Sequence, residues 1–262
     1  MSRKQPASDE PMWTFLSSLK VEKDILRYPI QWFPENPTFN NYLEVVKRFP
    51  ILRWMNNSFI VAAATVLVAL MVDIPAAYAL ARLNFRGRNL TLLLILSAFL
   101  IPPEITVVPL YLGLTKVGLS DNYFSLVMPV VANAFNIYLL TQFFRTLPKE
   151  LEDAAVIDGC SKFGVLMRVI VPLSRPVIAV VALLTFMASW NNFLWPLIIT
   201  NTDATRTLPV GLATFVVGSG NLAITYGVIM AGAVIAMLPS IFLFLLTQRY
   251  FVKGISMTGI KG

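Results

Sequence analysis

Long apolar stretches constrain the fold of this chain most strongly. Five of them could cross a bilayer, since a membrane-spanning helix needs about 20 mainly apolar residues. They run over Asn57–Ala81, Leu90–Leu114, Tyr123–Phe144, Pro176–Thr200 and Gly227–Tyr250. In lipid every backbone polar group must be bonded internally, so stretches of this length are expected to be helices. We therefore predict an all-α fold, a polytopic membrane helical bundle with five full spans.

Composition excludes several classes of function. Only 13% of the residues are charged and histidine is absent, which removes the commonest general base and metal ligand. The net charge of +7 would suggest nucleic acid in a soluble chain, but here the cations cluster between apolar stretches. Gly218-Ser219-Gly220 lacks the Lys-Ser/Thr of a phosphate loop. We predict no catalytic residue, no metal site and no cofactor in this chain, and a membrane-embedded enzyme is the least supported class.

One charged stretch, Leu151–Pro172, lies between two apolar stretches and cannot itself span a membrane. Pro148 suits the first turn of a helix, and the acids that follow it favour the positive end of the helix dipole. Gly159 can end that helix in a left-handed conformation, Ser161 can cap a second short helix, and Pro172 is expected to stop it. The pattern predicts two short helices joined at a glycine corner, a natural docking element.

The order of residues in this stretch resembles the cytoplasmic loop of ABC importer permeases. The matching order is Pro148-x-Glu150-Leu151-x-Asp153-Ala154-Ala155-x-Ile157-Asp158-Gly159, followed by Ile170-x-Pro172-Leu173. More narrowly, it is similar to the subunits of carbohydrate importers of the maltose-permease type, although the family usually has Glu at the position of Asp153. An ordinary charged loop between spans is the alternative. The coupling residues that the resemblance implies are Glu150, Glu152, Asp153, Ala154, Ala155, Asp158, Gly159 and Pro172.

The resemblance implies the type I ABC importer permease fold and a membrane subunit that moves a sugar or sugar-like solute by alternating access. ATP and Mg would be bound by a partner ATPase. The implied partners are a second homologous permease subunit, two cytoplasmic ATPase subunits, an extracellular or periplasmic solute-binding protein and the lipid bilayer, with no nucleic acid. The alternative function is an ATP-independent secondary transporter or channel for small polar solutes.

Charge asymmetry predicts the orientation. Eleven of the 21 Lys and Arg residues fall in the loops Arg82–Arg88 and Arg145–Arg175 and in the tail that begins at Arg249. By the positive-inside rule these segments, including the C-terminus, lie in the cytoplasm of a prokaryotic cell. The two short loops on the other side hold only Lys116 and Arg206.

The domain organisation follows from these assignments. Residues 1–55 form a tail and an external loop, 56–251 the permease domain with its coupling loop at 145–175, and 252–262 a cytoplasmic tail. Pro11–Leu19 is apolar but too short to span, so with the resemblance it indicates either a truncated or missing first helix or a true start that lies upstream. Tyr42–Phe49 is expected to form an amphipathic helix.

Polar residues inside the predicted spans are candidates for the substrate path, because such groups usually face the bundle interior or an aqueous cavity. The candidates are Glu104, Asn133, Asn136, Trp190, Asn191 and Asn192. Amides can both donate to and accept from sugar hydroxyls, although interhelical bonding between the asparagines is the alternative. Pro102 and Pro103 are gate or hinge candidates, or else a static kink. Asp73 is expected to pair with a lysine or arginine of another helix.

Overall fold

The computed structural model describes residues 10–217 and 224–256, with side chains for 11–214 and 224–245. Throughout these ranges the chain forms helices and connecting loops, without a strand. This confirms the predicted all-α fold. Gly218-Ser219-Gly220 and residues 257–262 of the predicted tail lie outside the described residues.

Fifteen α-helices follow one another in the described residues. They are α1 Glu10–Ser18, α2 Glu22–Ile25, α3 Asn40–Arg48, α4 Ile51–Arg82, α5 Arg88–Phe99, α6 Pro103–Lys116, α7 Tyr123–Val127, α8 Ala134–Thr146, α9 Glu150–Ile157, α10 Lys162–Val165, α11 Val171–Leu173, α12 Arg175–Trp190, α13 Leu194–Ile199, α14 Leu208–Val217 and α15 Tyr226–Ser256. A 3-10 turn over Met128–Val130 extends α7, and a π turn over Leu166–Ile170 joins α10 to α11.

Two of the described helices are long and apolar enough to cross a membrane alone, namely α4 and the Tyr226–Leu245 part of α15. Three bent pairs pass the same test together, which brings the number of spans to as many as five. The bend is 94° between α5 and α6, 49° between the helices flanking Val131–Asn133, and 83° between Lys162–Leu173 and α12. The upper limit equals the five spans expected from the sequence, although the pair that includes α12 also contains Lys162–Leu173, which the sequence places outside the membrane.

Several predicted spans are not continuous. The α5–α6 break falls at Pro102 and Pro103, where the missing backbone donors were expected to open the helix. The third span also breaks, at Val131–Asn133, which the sequence analysis did not anticipate. By contrast, α4 passes through Asp73 and Pro75 without interruption.

The C-terminal third also differs from expectation. The span predicted over Pro176–Thr200 ends at Trp190, and α13 begins only after a three-residue gap. The stretch between the predicted spans Pro176–Thr200 and Gly227–Tyr250 contains α14. The predicted domain boundary between residues 55 and 56 falls inside α4, and the predicted tail from Val252 begins inside α15.

The described residues form two compact units. The first unit contains the described residues within Met1–Phe59 and Asn191–Leu243. The second unit contains the described residues within Ile60–Trp190 and Phe244–Gly262. In the first, the indole of Trp54 is 2% exposed and its Nε1 donates to Asp203 Oδ1 at 3.0 Å. In the second, α4, α8, the α10–α11 segment and α12 share one apolar core, whose most buried members are Ala77, Leu140, Phe144, Val165, Ile170 and Val181.

Candidate functional site: a helical corner and a polar cavity

The docking corner is built by two helix caps. Gly159 has φ 87°, and its N–H bonds to the Val156 carbonyl at 3.0 Å. The N–H of Cys160 bonds to the Ala155 carbonyl at 2.9 Å, which completes the six-residue closure typical of a glycine-ended helix. The left-handed glycine at the end of α9 is therefore as predicted from the sequence.

The second half of the corner begins at Ser161. Its Oγ accepts from the N–H of Gly164 at 3.1 Å, so it is the N-cap of α10 as expected. The helical path then continues through the π turn and past Pro172, and it ends at Leu173. The predicted stop at Pro172 is thus one residue early, because a proline in the first turn of α11 needs no backbone donor.

The corner exposes an apolar surface. Ile157 is 85% exposed and Phe163 65%, and Leu151 and Val156 are also exposed. Of the residues named from the sequence, Glu150, Asp153, Ala154, Asp158 and Gly159 are exposed, Pro172 is half-buried, and Glu152 and Ala155 are buried. Large apolar side chains displayed beside acids are typical of a surface that a protein partner covers.

Glu152 points inward and forms an ion pair with α4. Its Oε1 lies 2.7 Å from Arg82 Nε, and the two side chains are only 11% and 13% exposed. Arg82 also donates to the carbonyl of Leu147, immediately before α9. Arg88 donates to the carbonyls of Leu80 and Ala81 at 2.7 and 2.9 Å, at the same end of α4. In the sequence, Arg82 and Arg88 indicate only the topology. For Arg82, the position at the C-terminal end of a helix is the signal that could have predicted a structural role.

A cavity of about 540 Å³ lies where the two broken spans meet α12. Its wall comes from the ends of α5 and α6, from the break before α8, and from the middle of α12. The lining residues used below are Phe99, Asn133, Phe135, Asn136 and Thr185, with Pro103 beside them. Three of the residues predicted from sequence, Asn133, Asn136 and Pro103, are thus brought to one place.

A buried polar network lies behind this wall. Asn136 Nδ2 donates to Asp73 Oδ2 at 3.2 Å and to Thr185 Oγ1 at 2.9 Å. Asp73 is 0% exposed. The bond between Asn136 and Asp73 joins α8 to α4, and the bond between Asn136 and Thr185 joins α8 to α12. The expectation that Asp73 pairs with a lysine or arginine is therefore wrong, because an amide is the partner that packing brings to it. Thr185 was not anticipated, since a single threonine in an apolar helix has no distinguishing pattern.

Asn133 also has a local structural role, as a helix cap. It precedes α8 as its N-cap, and its Oδ1 accepts from the N–H groups of Phe135 at 2.9 Å and Asn136 at 3.2 Å. The broken span exposes these two donors, and the asparagine side chain satisfies them.

The other candidates lie elsewhere. Glu104 is exposed in the first turn of α6 and does not line the cavity, and Pro102 is the residue before that helix. Trp190 is buried and stacks on Phe186, with ring centroids 5.8 Å apart. Asn191 and Asn192 belong to the first compact unit, outside the unit that contains the cavity.

The first unit has a polar cluster of its own. Besides Trp54, Asp203 binds Arg206 at 2.7 Å, and Asn57 Nδ2 donates to the Arg206 carbonyl at 2.8 Å. Ser58 Oγ accepts from the N–H of Leu208 at 2.8 Å. These bonds attach the loop before α14 to the first half of α4.

Comparison with known proteins places the chain among transport components. The profile of the family described as "Binding-protein-dependent transport system inner membrane component" matches residues 73–257. An arabinooligosaccharides transport system permease protein of Halalkalibacterium halodurans is 34% identical over 94% of this chain and 88% of its own length. A sulfoquinovosyl glycerol transport system permease protein of Agrobacterium fabrum is 34% identical over 96% of this chain and 88% of its own length. A trehalose/maltose transport system permease protein of Thermococcus litoralis is also 34% identical, over 96% of this chain and 90% of its own length.

The fold matches a solved structure as well. A chain of a bacterial ABC transporter that imports the acidic polysaccharide alginate superposes with a TM-score of 0.83. The match covers 95% of this chain and all of that one, at 23% identity, so it concerns the fold alone.

Proposed function

Because this chain belongs to the family of binding-protein-dependent transport system inner membrane components, we propose that it is the membrane-spanning subunit of an ATP-driven importer for a sugar or sugar-like solute. The observation that carries the proposal is the capped corner at Glu150–Leu173, with its exposed Ile157 and Phe163, inside the region that matches the family. A secondary transporter has no ATPase subunit for such a corner to bind.

The corner docks on a separate ATPase, which binds ATP and Mg. Exposed apolar side chains supply contact area, and the left-handed cap at Gly159 gives the surface one defined shape. When nucleotide closes the ATPase subunits, the corner moves with them. The buried pair between Glu152 and Arg82 then transmits this movement to α4, and alternating access follows from the movement of the helices.

The solute and the other partners are inferred from the relatives. These are named for arabinooligosaccharides, sulfoquinovosyl glycerol and trehalose or maltose, all of them sugars or sugar derivatives. The complex would contain a second homologous permease subunit, two ATPase subunits and an extracellular or periplasmic solute-binding protein. A solved structure with which the fold aligns, at a TM-score of 0.63, carries such a periplasmic protein.

The membrane is the inner or plasma membrane of a prokaryote, and the C-terminus lies in the cytoplasm. The description of the family supports the location. The clustering of Lys and Arg around the corner and the tail supports the orientation.

Uptake measurements test this function directly. Cells that express the full set of subunits should accumulate labelled solute, and a Walker-motif lysine variant of the ATPase should abolish that accumulation. The matched control is the same cell with this permease omitted. Uptake that continues with the inactive ATPase and follows an ion gradient would instead establish a secondary transporter.

A further inference from the structure

The cavity beside Asn133 and Asn136 has a fixed hydrogen-bonding polarity. We propose that it holds an uncharged saccharide during transport, with Asn133 donating to the solute and Asn136 accepting from it. The inference rests on the proposed function and specifies the solute class at the same permease. Beyond the proposed function, the inference excludes phosphorylated, sulfonated and carboxylated sugars as solutes.

The orientation of Asn136 is set by its two neighbours. An amide nitrogen carries two hydrogens, and here one goes to Asp73 Oδ2 and the other to Thr185 Oγ1, at 3.2 and 2.9 Å. A carboxylate only accepts, so Asp73 prevents the amide from turning over. The group that Asn136 offers to the cavity is therefore its carbonyl oxygen.

Asn133 offers the opposite polarity. Its carbonyl oxygen is engaged by the N–H groups of Phe135 and Asn136 at the start of α8. Its amide hydrogens are the groups left to face the cavity. A donor and an acceptor thus lie three residues apart on one wall, and a sugar hydroxyl, which donates and accepts, matches both.

Two aromatic rings complete the site. Phe99 and Phe135 both line the cavity, and their ring centroids are 6.1 Å apart with 29° between the planes. Both rings are more than one-third exposed, so they are open to an incoming solute. Such rings pack well on the C–H faces of a pyranose or furanose, and they contribute no charge.

Charge decides between solute classes. Among the described residues that line the cavity, none is ionisable. Asp73 lies just behind the wall and is 0% exposed, so a nearby anion would meet a carboxyl group, and the described lining residues supply no cation. Moving an anionic group out of water without a counter-charge is strongly unfavourable. The relatives are named for neutral and for anionic solutes alike, so family membership alone does not make this choice.

The experiment uses the complete importer in membrane vesicles, with its binding protein loaded to saturation. The neutral probes are trehalose, maltose and arabinotriose, and the anionic probe is sn-glycerol 3-phosphate. The informative variant is Asn133→Asp, because aspartate caps a helix as well as asparagine but has no amide hydrogens. Import of a neutral probe per ATP hydrolysed should fall about three- to tenfold, the worth of one hydrogen bond. Asn133→Ser also caps the helix but keeps one donor on a shorter side chain, so its loss of import should be smaller.

Asp73 is tested as a positioning residue. In Asp73→Asn the amide at position 73 can turn either face to Asn136, so the carbonyl of Asn136 is no longer held toward the cavity. Sugar imported per ATP hydrolysed should fall by a similar factor. This ratio does not depend on how much complex assembles, so a merely structural role of Asp73 would leave it unchanged.

Thr141→Val is the matched control. Thr141 lies on α8 below Asn136, and its hydroxyl bonds only within the helix, to the Ile137 carbonyl at 2.6 Å. This variant should keep the wild-type ratio. The inference is overturned if no neutral probe is imported, or if Asn133→Asp matches Thr141→Val. The proposed function is judged separately, by whether import of any probe, neutral or anionic, requires the ATPase.

Discussion

Gly211 in α14 lies against the indole of Trp54. A Cβ atom built on Gly211 would overlap the Cδ2, Cε3 and Cζ3 atoms of that ring. The ring cannot easily move away, because it is 2% exposed and its Nε1 is bonded to Asp203. The absence of a side chain at position 211 therefore permits the close packing of α14 on α4.

We expect Gly211→Ala to lower the free energy of unfolding by about 1–3 kcal/mol, the usual range for an overpacked core. Gly113→Ala is the matched control, because Gly113 also lies within a helix but has no atom within 4 Å of its Cβ position. Gly113→Ala should raise the free energy of unfolding by about 0.5–1 kcal/mol, because alanine has a higher helix propensity than glycine. Thermal unfolding midpoints of the purified complex in detergent measure both, and equal shifts would contradict the packing argument.

At the scale of elements, two features hold the docking corner in place. The cap at Gly159 sets the angle between α9 and α10, and the Glu152–Arg82 pair attaches α9 to the end of α4. The cap is local and the pair is long-range. Their removal should therefore have different consequences, the first for docking of the ATPase and the second for transmission of its movement.

Gly159→Pro should abolish co-purification of the ATPase while leaving membrane insertion intact. Proline cannot adopt a φ of 87°, and it removes the N–H that bonds to Val156. If the proline destabilises the docking conformation of the corner by about 3 kcal/mol, the ATPase should bind at least a hundredfold more weakly. Gly159→Asn is the control, since asparagine tolerates the left-handed region, and it should retain most of the ATPase. Normal co-purification with the proline variant would contradict the role of the corner.

Glu152→Gln and Arg82→Met should reduce solute imported per ATP about tenfold while the ATPase still co-purifies. Each leaves one buried partner unpaired, a change that usually costs several kcal/mol. The double exchange Arg82→Glu with Glu152→Arg should recover much of the loss. Glu44→Gln is the control, because its pair with Arg48 is about 40% exposed and contributes at most about 1 kcal/mol. Failure of the exchange together with an effect of Glu44→Gln would count against the pair.

At the scale of the whole molecule, the distribution of charge predicts the orientation. The chain has one cysteine, Cys160, and it lies partly exposed at the corner. The natural protein can therefore report which side of the membrane the corner faces.

A membrane-impermeant maleimide should label Cys160 in inside-out vesicles and not in intact cells. Bound ATPase should slow the labelling, because it covers the corner. The control is Lys116→Cys in a Cys160→Ser background, which places the thiol at the exposed C-terminal end of α6, expected outside. That variant should show the reverse pattern. Labelling of Cys160 in intact cells would overturn the orientation and, with it, the docking role.

The sequence by itself determined the number of spans, the capped corner and the family. Each depends on local information: apolar length, a glycine after a helix, a serine before one. Only the tertiary structure decided which polar groups pair. Asp73 and Thr185 lie 63 and 49 residues from Asn136 in the chain. Arg82 and Glu152 form an ion pair between two helices that are distant in sequence. Because many amides and charges could satisfy a buried carboxylate equally well, the packing of the bent helices selects the partner.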